Sequence, residues 1–419
     1  MKILWLSHLV PYPPKGGVLQ RSYNLLKEAS KYHEVHLFAF IQRDLINTHF
    51  DNYDSGLETA KNELLKFCET VSFFDIPCER YKYGKQLLAI KSIFSSNPYT
   101  INWLNSDTFR LELTAFKGAH NIELVHYDTI SLAPYLRLFK DTLAVLDHHN
   151  IESHMLLRRA EKSSNIFVKF YMWQEGKRLG KFESTWCPEF SLNITCSRLD
   201  SDRLRTFIPS AEVTEVENGV DISYFKPECE SNGFSNLDSP RFIFVGRLNA
   251  YTNRAAVRCL VHEIWPLIHT KYPNAELDIV GAHPPEDIVR KSMEKDSGIV
   301  VHGFVDDVRH YIEKADIYLC PISDGGGTKL KILDALAMGK PIISNPIACE
   351  GINVSNGKNV LFADKPKDYV ECVQHLIETP DKFKEMSNNA ISLVKEQYSY
   401  LSIGKRLSQL YEKLSFKER

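Results

Sequence analysis

Residues 323–344 read SDGGGTKLKILDALAMGKPIIS, and this stretch decides the fold. Three glycines and Thr328 precede a predicted helix, which Gly339 and Pro341 end before the next strand. The apolar positions that we expect to face the core are Leu330, Ile332, Leu333, Leu336 and Ala337. A glycine turn at the N-terminus of a helix presents backbone amides and the positive end of the helix dipole to an anion. The stretch therefore predicts an anion-binding turn between a strand and a helix.

Charged side chains follow this glycine turn. Lys329 and Lys331 could add positive charge beside a bound anion, and Asp334 could accept hydrogen bonds from ribose hydroxyls. The motif is not a Walker A loop, because the glycines at 325–327 run directly into Thr-Lys and the G-x-x-x-x-G-K-[ST] spacing is not met. A glycine turn with a purely structural role remains the alternative.

Short apolar runs alternate with longer amphipathic segments over almost the whole chain. The runs of the first half are KILWLS (2–7), EVHLFAF (34–40), IELVHYD (122–128), TLAVLDHH (142–149) and LNITCS (192–197). Those of the second half are RFIFVG (241–246), AELDIVG (275–281), GIVVHG (298–303), ADIYLCP (315–321) and KPIISN (340–345). Strands separated by helices imply βαβ units and parallel sheets. The predicted fold class is therefore α/β, with two doubly wound, Rossmann-like sheets.

The break between the two halves separates the predicted domains. Between about residues 222 and 240, Pro, Ser, Asn and Gly replace the apolar periodicity, as is typical of a linker. We expect a first domain at 1–221, a linker at 222–240, a second domain at 241–397 and a C-terminal helix at 398–419. That last helix is long enough to cross to the other domain.

The composition excludes several classes of protein. The 419 residues are 43% hydrophobic and 25% charged with a net charge of -2, which argues against disorder and against nucleic-acid binding through a global positive field. The nine cysteines form no C-x-x-C pair, so neither a disulfide framework nor a zinc site is indicated. No apolar run reaches the roughly 20 residues of a membrane-spanning helix, and the N-terminal run is too short for a signal peptide. We expect a cytoplasmic protein, soluble or at most peripheral to a membrane.

Ligands of open α/β sheets bind at the carboxyl ends of strands, so the strand-to-loop junctions hold the candidate residues. The first junction is Ser7-His8, and its loop continues to Gly16-Gly17 before a helix, expected from about Ser22 to Ser30. Paired glycines can bring amides up to a phosphate, although a loop that merely turns the chain is the alternative. The G-x-G-x-x-G fingerprint of dinucleotide-binding proteins is missing here.

Three charged residues stand at other junctions. Arg247 follows a buried strand, where a guanidinium suits a diphosphate; an ordinary surface arginine is the alternative. Asp128 and His149 follow strands of the first domain and are expected to face the crevice between the domains. A histidine that titrates near neutrality can exchange hydrogen bonds with a sugar hydroxyl. A capping aspartate and a surface histidine remain the structural alternatives.

Residues 154–183 form a basic helical stretch with interleaved aromatic residues. Its basic residues include Arg158, Arg159, Lys162, Lys169, Lys177, Arg178 and Lys181, and the interleaved aromatic residues are Phe167, Phe170, Tyr171 and Trp173. Such a stretch could contact an anionic membrane surface or a lipid-linked acceptor. The interpretation that we prefer from the sequence is a solvated charged face with the aromatic residues in the core.

Several motifs in one order resemble family 4 of the glycosyltransferases, which has the two-domain GT-B architecture. They are P-x-P-P-x-G-G (11–17), NGVD (218–221) followed by YFKP (224–227), VGRL (245–248), HGFV (302–305) and, after the glycine turn, LDALAMGKP (333–341). Each motif is weak by itself, but their shared order and spacing make the resemblance specific.

The resemblance implies a C-terminal domain that binds a nucleotide-diphosphate sugar, linked to UDP or GDP, and an N-terminal domain that binds the acceptor. It implies transfer with retention of configuration and without a metal ion or other cofactor, and a last helix that packs on the first domain. The expected catalytic residues are Asp128, His149 and Arg247, of which the resemblance itself implies His149 and Arg247. The donor-binding residues would be Gly16, Gly17, Arg247, Asn253, Phe304, Val305, Gly326, Gly327, Thr328, Lys329, Lys331 and Asp334.

The chain departs from the family pattern at four of these positions. Gly326 replaces a glutamate that contacts the donor sugar, and Asp324 is a possible substitute for it. Asn253 replaces a phosphate-binding lysine, so Lys329 or Lys331 would have to supply the second positive charge. Asp128 stands where many members have a histidine. Asp334 stands where the family usually has a ribose-binding glutamate, and its side chain is shorter than that of glutamate.

The resulting hypothesis is a glycosyltransferase that acts on a glycan or lipid-linked glycan, by family analogy in cell-surface polysaccharide assembly. The departing phosphate oxygen would help to deprotonate the acceptor hydroxyl, and positive charge would stabilise the leaving diphosphate. A nucleotide-sugar epimerase or phosphorylase on the same fold is one alternative. A non-catalytic subunit that binds a sugar nucleotide is another.

Overall fold

Two parallel sheets organise the chain, one in each of two units. The structure, a computed structural model, describes residues 1–228, 233–325 and 327–417. The N-terminal unit spans Met1–Glu217 and includes the chain again from Ile403, and the C-terminal unit spans Asn218–Ser402. The segment predicted as a linker, 222–240, counts with the C-terminal unit, and its residues 229–232 lie outside the described part.

The N-terminal unit contains a seven-stranded sheet in the order β3-β2-β1-β4-β5-β6-β7, with all neighbours parallel. Its strands are β1 Lys2–Ser7, β2 Glu34–Ile41, β3 Thr70–Asp75, β4 Leu124–Tyr127, β5 Leu143–His148, β6 Leu192–Thr195 and β7 Val213–Glu215. The central strands are buried along almost their whole length, as expected for a parallel sheet that is covered on both faces. The order reverses between β1 and β4, and such a switch point opens a crevice for ligands at the strand ends.

The first stretch of this unit, Met1–Glu217, contains nine α-helices. They are α1 Gly17–Ala29, α2 Arg43–His49, α3 Tyr53–Leu64, α4 Gly84–Ile93, α5 Tyr99–Trp103, α6 Asp107–Ala119, α7 Glu152–Lys162, α8 Ile166–Trp186 and α9 Arg198–Phe207. Helix α1 begins five residues before the predicted Ser22, so the predicted start is wrong. Gly16 adopts a φ of 92°, and this left-handed conformation turns the loop directly into the helix at Gly17.

The C-terminal unit contains a six-stranded parallel sheet in the order β10-β9-β8-β11-β12-β13. Its strands are β8 Arg241–Val245, β9 Glu276–Val280, β10 Ile299–Gly303, β11 Ile317–Cys320, β12 Ile342–Ser344 and β13 Leu361–Phe362. Its helices are α10 Tyr251–Cys259, α11 Trp265–Lys271, α12 Glu286–Ser292, α13 Arg309–Lys314, α14 Leu330–Ala337, α15 Pro366–Glu378 and α16 Pro380–Leu393. Here the order reverses between β8 and β11.

The last helix, α17 (Tyr400–Lys417), belongs to the N-terminal unit from Ile403 onward. The hydroxyl of Tyr411 lies 2.8 Å from Nδ1 of His126 inside the core of that unit. Arg406 donates to the Glu217 carboxylate at 2.6 Å. These contacts fix the helix to the N-terminal unit by one buried polar bond and one ion pair.

Helices α7 and α8 form the basic stretch predicted at 154–183, but three of its aromatic residues are not core residues as we preferred from the sequence. Phe167, Phe170 and Trp173 are exposed, so that interpretation is wrong. The reason is that α8 packs on α7 through its other face, where Gly176 and Gly180 allow close approach. Both the backbone N–H and the hydroxyl of Ser153 on α7 also bond the buried Glu183 carboxylate of α8.

Candidate functional site

In the N-terminal unit, the carboxyl ends of three neighbouring strands bring together Asp128 and His149. Asp128 follows β4 and is 1% exposed, and one of its oxygens bonds Nε2 of His149, which follows β5. The other oxygen lies 3.2 Å from Nδ1 of His8, which follows β1. The hydroxyls of Ser7 and Ser22 donate to the same carboxylate at 2.6 Å and 3.2 Å. This cluster lies at the switch point of the sheet.

The two central groups of this cluster stabilise each other as ions. Burial opposes ionisation of Asp128, but the charges of His149 and His8 outweigh burial and hold its pKa well below the ordinary value. Burial also disfavours the charged form of His149, and the Asp128 carboxylate outweighs it, so the pKa of His149 is raised. Both shifts favour an imidazolium beside a carboxylate, an arrangement whose charged N–H can orient an oxygen of a substrate.

His8, Asp128 and His149 also form a group whose potential metal-ligand atoms all lie within 4.8 Å of one another. Two histidines and a carboxylate are a donor set that transition metals accept. In the arrangement described, the nitrogens that face the carboxylate already bond it, and a metal ion would have to replace those bonds. The geometry fits a hydrogen-bonded acid–base cluster without further change.

In the C-terminal unit, three of the predicted donor-binding residues meet at the end of β8. Asn253 donates through Nδ2 to the backbone carbonyl of Arg247 at 2.9 Å and accepts through Oδ1 from Nζ of Lys331 at 2.7 Å. The Lys331 ammonium lies 4.9 Å from the centre of the Phe244 ring. A Cβ at Gly246 would lie 2.4 Å from Nζ of Lys331, so a side chain at this position would displace the lysine end from where it stands.

The glycine turn follows β11, the strand next to β8 across the switch point. Gly325 and Gly327 have φ of 96° and 77°, a region that side-chain-bearing residues rarely adopt. Lys329 donates to both of their carbonyl oxygens, at 2.8 and 2.9 Å, and so holds the turn together. The buried hydroxyl of Thr328 has no hydrogen-bond partner among the described residues. A buried hydroxyl in this state suits a ligand oxygen.

The two predicted lysines therefore have different positions. Lys329 is engaged with the backbone of the turn, and Lys331 reaches the end of β8 near Arg247. Burial lowers the pKa of Lys331 to about 8, which means that its ammonium is destabilised where it stands. Burial also raises the pKa of Asp334 to about 8, against the opposing charge of Lys331. A bound anion would stabilise the Lys331 ammonium, and Asp334 as a neutral acid could donate to a hydroxyl as well as accept.

The remaining predicted residues lie in other loops, after a strand or before a helix. Phe304 and Val305 follow β10, and the Phe304 ring is exposed. Gly16 and Gly17 lie at the start of α1, where both are exposed. Gly326 and its predicted role lie outside the described residues. Asp324 accepts from the N–H of Gly325 at 2.6 Å and thus shapes the turn.

Sequence reasoning did not assign Ser7, His8 and Ser22 to the site. The only signal was that Ser7-His8 stands at the first strand-to-loop junction. The bonds from these residues to Asp128 span 106 to 121 positions of the chain. Such long-range convergence follows from strand order, which the local pattern does not determine.

Comparison with known proteins shows what this chain is similar to. Residues 239–379 match the family described as Glycosyl transferases group 1. An uncharacterised 44.6 kDa protein in the cps region of Klebsiella pneumoniae is 22% identical over 95% of this chain and 96% of its own. The alpha-monoglucosyldiacylglycerol synthase of Acholeplasma laidlawii is 23% identical over 67% of this chain and 74% of its own.

The fold is also that of solved glycosyltransferase structures. Anabaena Alr3699/HepE, solved in complex with UDP, superposes with a TM-score of 0.63 at 16% identity over 99% of this chain and 100% of that chain. The chain therefore has the predicted GT-B fold. The family match and the relatives support a glycosyltransferase.

Proposed function

We propose that this protein transfers a sugar from a UDP-linked donor to a hydroxyl of a glycan or lipid-linked acceptor, with retention of configuration and without a metal ion. The observation that carries the proposal is the cationic strand end of the C-terminal sheet, formed by Arg247 and the half-buried Lys331, within the residues that match glycosyltransferases. The UDP complex of the structural neighbour supports the choice of nucleotide. The name of the Acholeplasma relative, which describes a glucosylated lipid, supports a lipid-linked acceptor.

Each group at this strand end has a task in donor binding. Arg247 is exposed at the end of β8, where its guanidinium can reach the diphosphate with two parallel N–H bonds. Lys331 supplies the second positive charge in place of Asn253, which instead holds the Lys331 ammonium. The amides of the glycine turn and the free Thr328 hydroxyl add neutral donors. Asp334 would bind the ribose hydroxyls.

The chemical step breaks the bond between the anomeric carbon and the β-phosphate oxygen. Positive charge then develops on the sugar ring and negative charge on the departing diphosphate, and stabilising this leaving group is the larger electrostatic task. The departing phosphate oxygen takes the proton of the acceptor hydroxyl, whose oxygen bonds the same face of the anomeric carbon. The configuration is thus retained, and the nucleoside diphosphate leaves with the proton.

The N-terminal cluster would orient the sugar and the acceptor. The charged N–H of His149 can hold a hydroxyl oxygen, and Asp128 fixes the ring and its charge through the bond to Nε2. Asp128 itself is almost fully buried, so we assign it as a positioning residue for His149 rather than as a group that touches the substrate.

A donor-turnover assay with UDP-, GDP- and ADP-linked sugars, with and without an acceptor extract and with a chelator present, tests this proposal. We expect release of UDP that depends on the acceptor and survives chelation, and a product with the anomeric configuration of the donor. Conversion of the donor without acceptor would favour an epimerase or phosphorylase. Binding without any turnover would favour a non-catalytic subunit.

Replacing Lys331 should identify the second phosphate-binding charge. Lys331→Gln keeps a hydrogen-bond donor toward Asn253 but removes the charge, and we expect UDP to bind about 10- to 100-fold more weakly because one charge-assisted hydrogen bond is lost. Titration calorimetry with UDP measures this change. Lys367→Gln, an exposed lysine of the same unit, is the matched control and should bind UDP as the wild type does.

A second substitution tests whether positive charge at this strand end is what binds UDP. In the Lys331→Gln background, Asn253→Lys should restore part of the UDP affinity, because it returns a positive charge to the same strand end from α10 instead of α14. Unchanged UDP affinity in Lys331→Gln would exclude this lysine as a phosphate contact.

A further inference from the structure

Helix α8 carries a row of large apolar side chains that face solvent. Ile166, Phe167, Phe170 and Trp173 are 72%, 83%, 62% and 48% exposed. Exposed apolar side chains are common one at a time, but a contiguous group on one helix marks a contact surface. Among the described residues, no helix is long and apolar enough to span a bilayer, so this row does not belong to a transmembrane segment.

The row continues into basic residues along the same helix face. Positions 166, 170, 173, 177 and 181 are spaced by three or four residues and therefore share one side of α8. The last two are the exposed Lys177 and Lys181, and exposed Lys169 flanks the apolar part. Aromatic and aliphatic side chains followed by lysines are the pattern of a helix that lies in the interface of an anionic membrane.

The lysines of this face border an open cavity with an apolar interior. The cavity has a volume of about 830 Å³, and Leu157, Leu199 and Phe207 line it together with Lys177 and Lys181. An apolar interior beside positive charge complements an amphiphile with an anionic head and a hydrocarbon chain.

A second exposed apolar helix is tied to α8. Arg178 of α8 donates to the backbone carbonyls of Ser92 and Asn97, each at 2.8 Å, and so fixes the end of α4 beside α8. Next to that end, Phe94 is 87% exposed, and the α4 residue Ile90 is exposed as well. Lys91 supplies an exposed positive charge between them.

We propose that the α8 face formed by Ile166, Phe167, Phe170, Trp173, Lys177 and Lys181, with the end of α4 beside it, docks on a membrane leaflet that contains anionic lipids. The apolar side chains enter the boundary between headgroups and acyl chains, and the lysines bind lipid phosphates. This inference does not depend on the transfer reaction, because it concerns binding to the lipid surface alone.

Sedimentation with vesicles tests the docking surface on the full-length protein. We expect binding to vesicles of phosphatidylglycerol and phosphatidylcholine in equal parts, much weaker binding to pure phosphatidylcholine, and loss of binding at high salt. The triple variant Phe167→Gln, Phe170→Gln, Trp173→Gln should bind at least about tenfold more weakly, because it removes most of the inserted apolar area. Met293→Gln, an equally exposed apolar residue of the C-terminal unit, is the control and should bind like the wild type.

Further measurements test the contribution of the two lysines and the depth to which Trp173 enters the membrane. Lys177→Gln and Lys181→Gln should each weaken binding about fivefold. Vesicles should shift the tryptophan emission of the wild type to shorter wavelength, and Trp173→Phe should lose most of that shift while it still binds. Wild-type binding by the triple variant would overturn the proposal. So would light scattering that shows a dimer which the triple variant converts to a monomer, because the face would then be a contact between two copies.

Discussion

Arg247→Ala is expected to lower the rate of sugar transfer by about 100- to 1,000-fold, the usual cost of removing one electrostatic donor from a transition state. The guanidinium lies at the end of β8, and its side chain is exposed where a diphosphate would meet the strand end. The fold should be unaffected, since the bond from Asn253 goes to the backbone carbonyl of this residue and not to its side chain. Initial rates of UDP release with saturating acceptor measure the effect.

Arg254→Ala provides the matched control for this variant. Arg254 is an exposed arginine on α10, seven positions along the chain and in the same unit. The Arg254→Ala variant should transfer sugar at the wild-type rate. Near-normal turnover in Arg247→Ala would contradict the assignment of the diphosphate to this strand end.

Asp128→Asn is expected to lower transfer at least about 100-fold, within the range for groups that control protons in a reaction. The carboxylate is the partner of His149, His8, Ser7 and Ser22, and its charge raises the pKa of His149. The raised pKa of His149 means that the charged form is present below that pKa and is lost as the pH rises through it. In the variant, the largest charge that opposes burial is gone and only the weaker effect of Asp147 remains, so the pKa of His149 falls relative to the wild type.

The pH profile distinguishes positioning from a merely structural effect. In Asp128→Asn, the fall of activity on the alkaline side should move to lower pH than in the wild type. Asp141→Asn, an exposed aspartate before β5, should change neither the rate nor the profile. An Asp128→Asn enzyme that is slower but keeps the wild-type profile would show that Asp128 does not set the charge of His149.

The sequence contained enough information for the strands and for the residues that end them. Apolar runs such as KILWLS and RFIFVG became β1 and β8, because a short run bounded by turn residues has few other ways to be buried. Asp128, His149, Arg247 and the glycine turn all stand at strand ends next to a switch point, as that local pattern suggests. The start of α1 was misjudged because the left-handed Gly16 replaces a side-chain cap.

Two features depended on contacts that no local pattern specifies. Lys329 and Lys331 both follow the glycine turn, so the sequence alone does not distinguish their roles. Their roles differ because α14 places Lys331 against Gly246 and Asn253, whereas Lys329 bonds the backbone of the turn. The helical period of α8 identified its faces but not which of them is covered. Gly176 and Gly180 decide this, because they let α7 approach on one side and leave the aromatic residues on the other.

The central claim is that a nucleoside diphosphate binds at the cationic strand end of the C-terminal unit. Isothermal titration calorimetry of the full-length protein with UDP tests it most directly. We predict saturable heat with one UDP per chain, strongly reduced by Arg247→Ala and by Lys331→Gln and unchanged by Asp128→Asn. If UDP, GDP, ADP and their sugar derivatives all gave no heat of binding, or if the two cation variants bound UDP like the wild type, the claim would be contradicted.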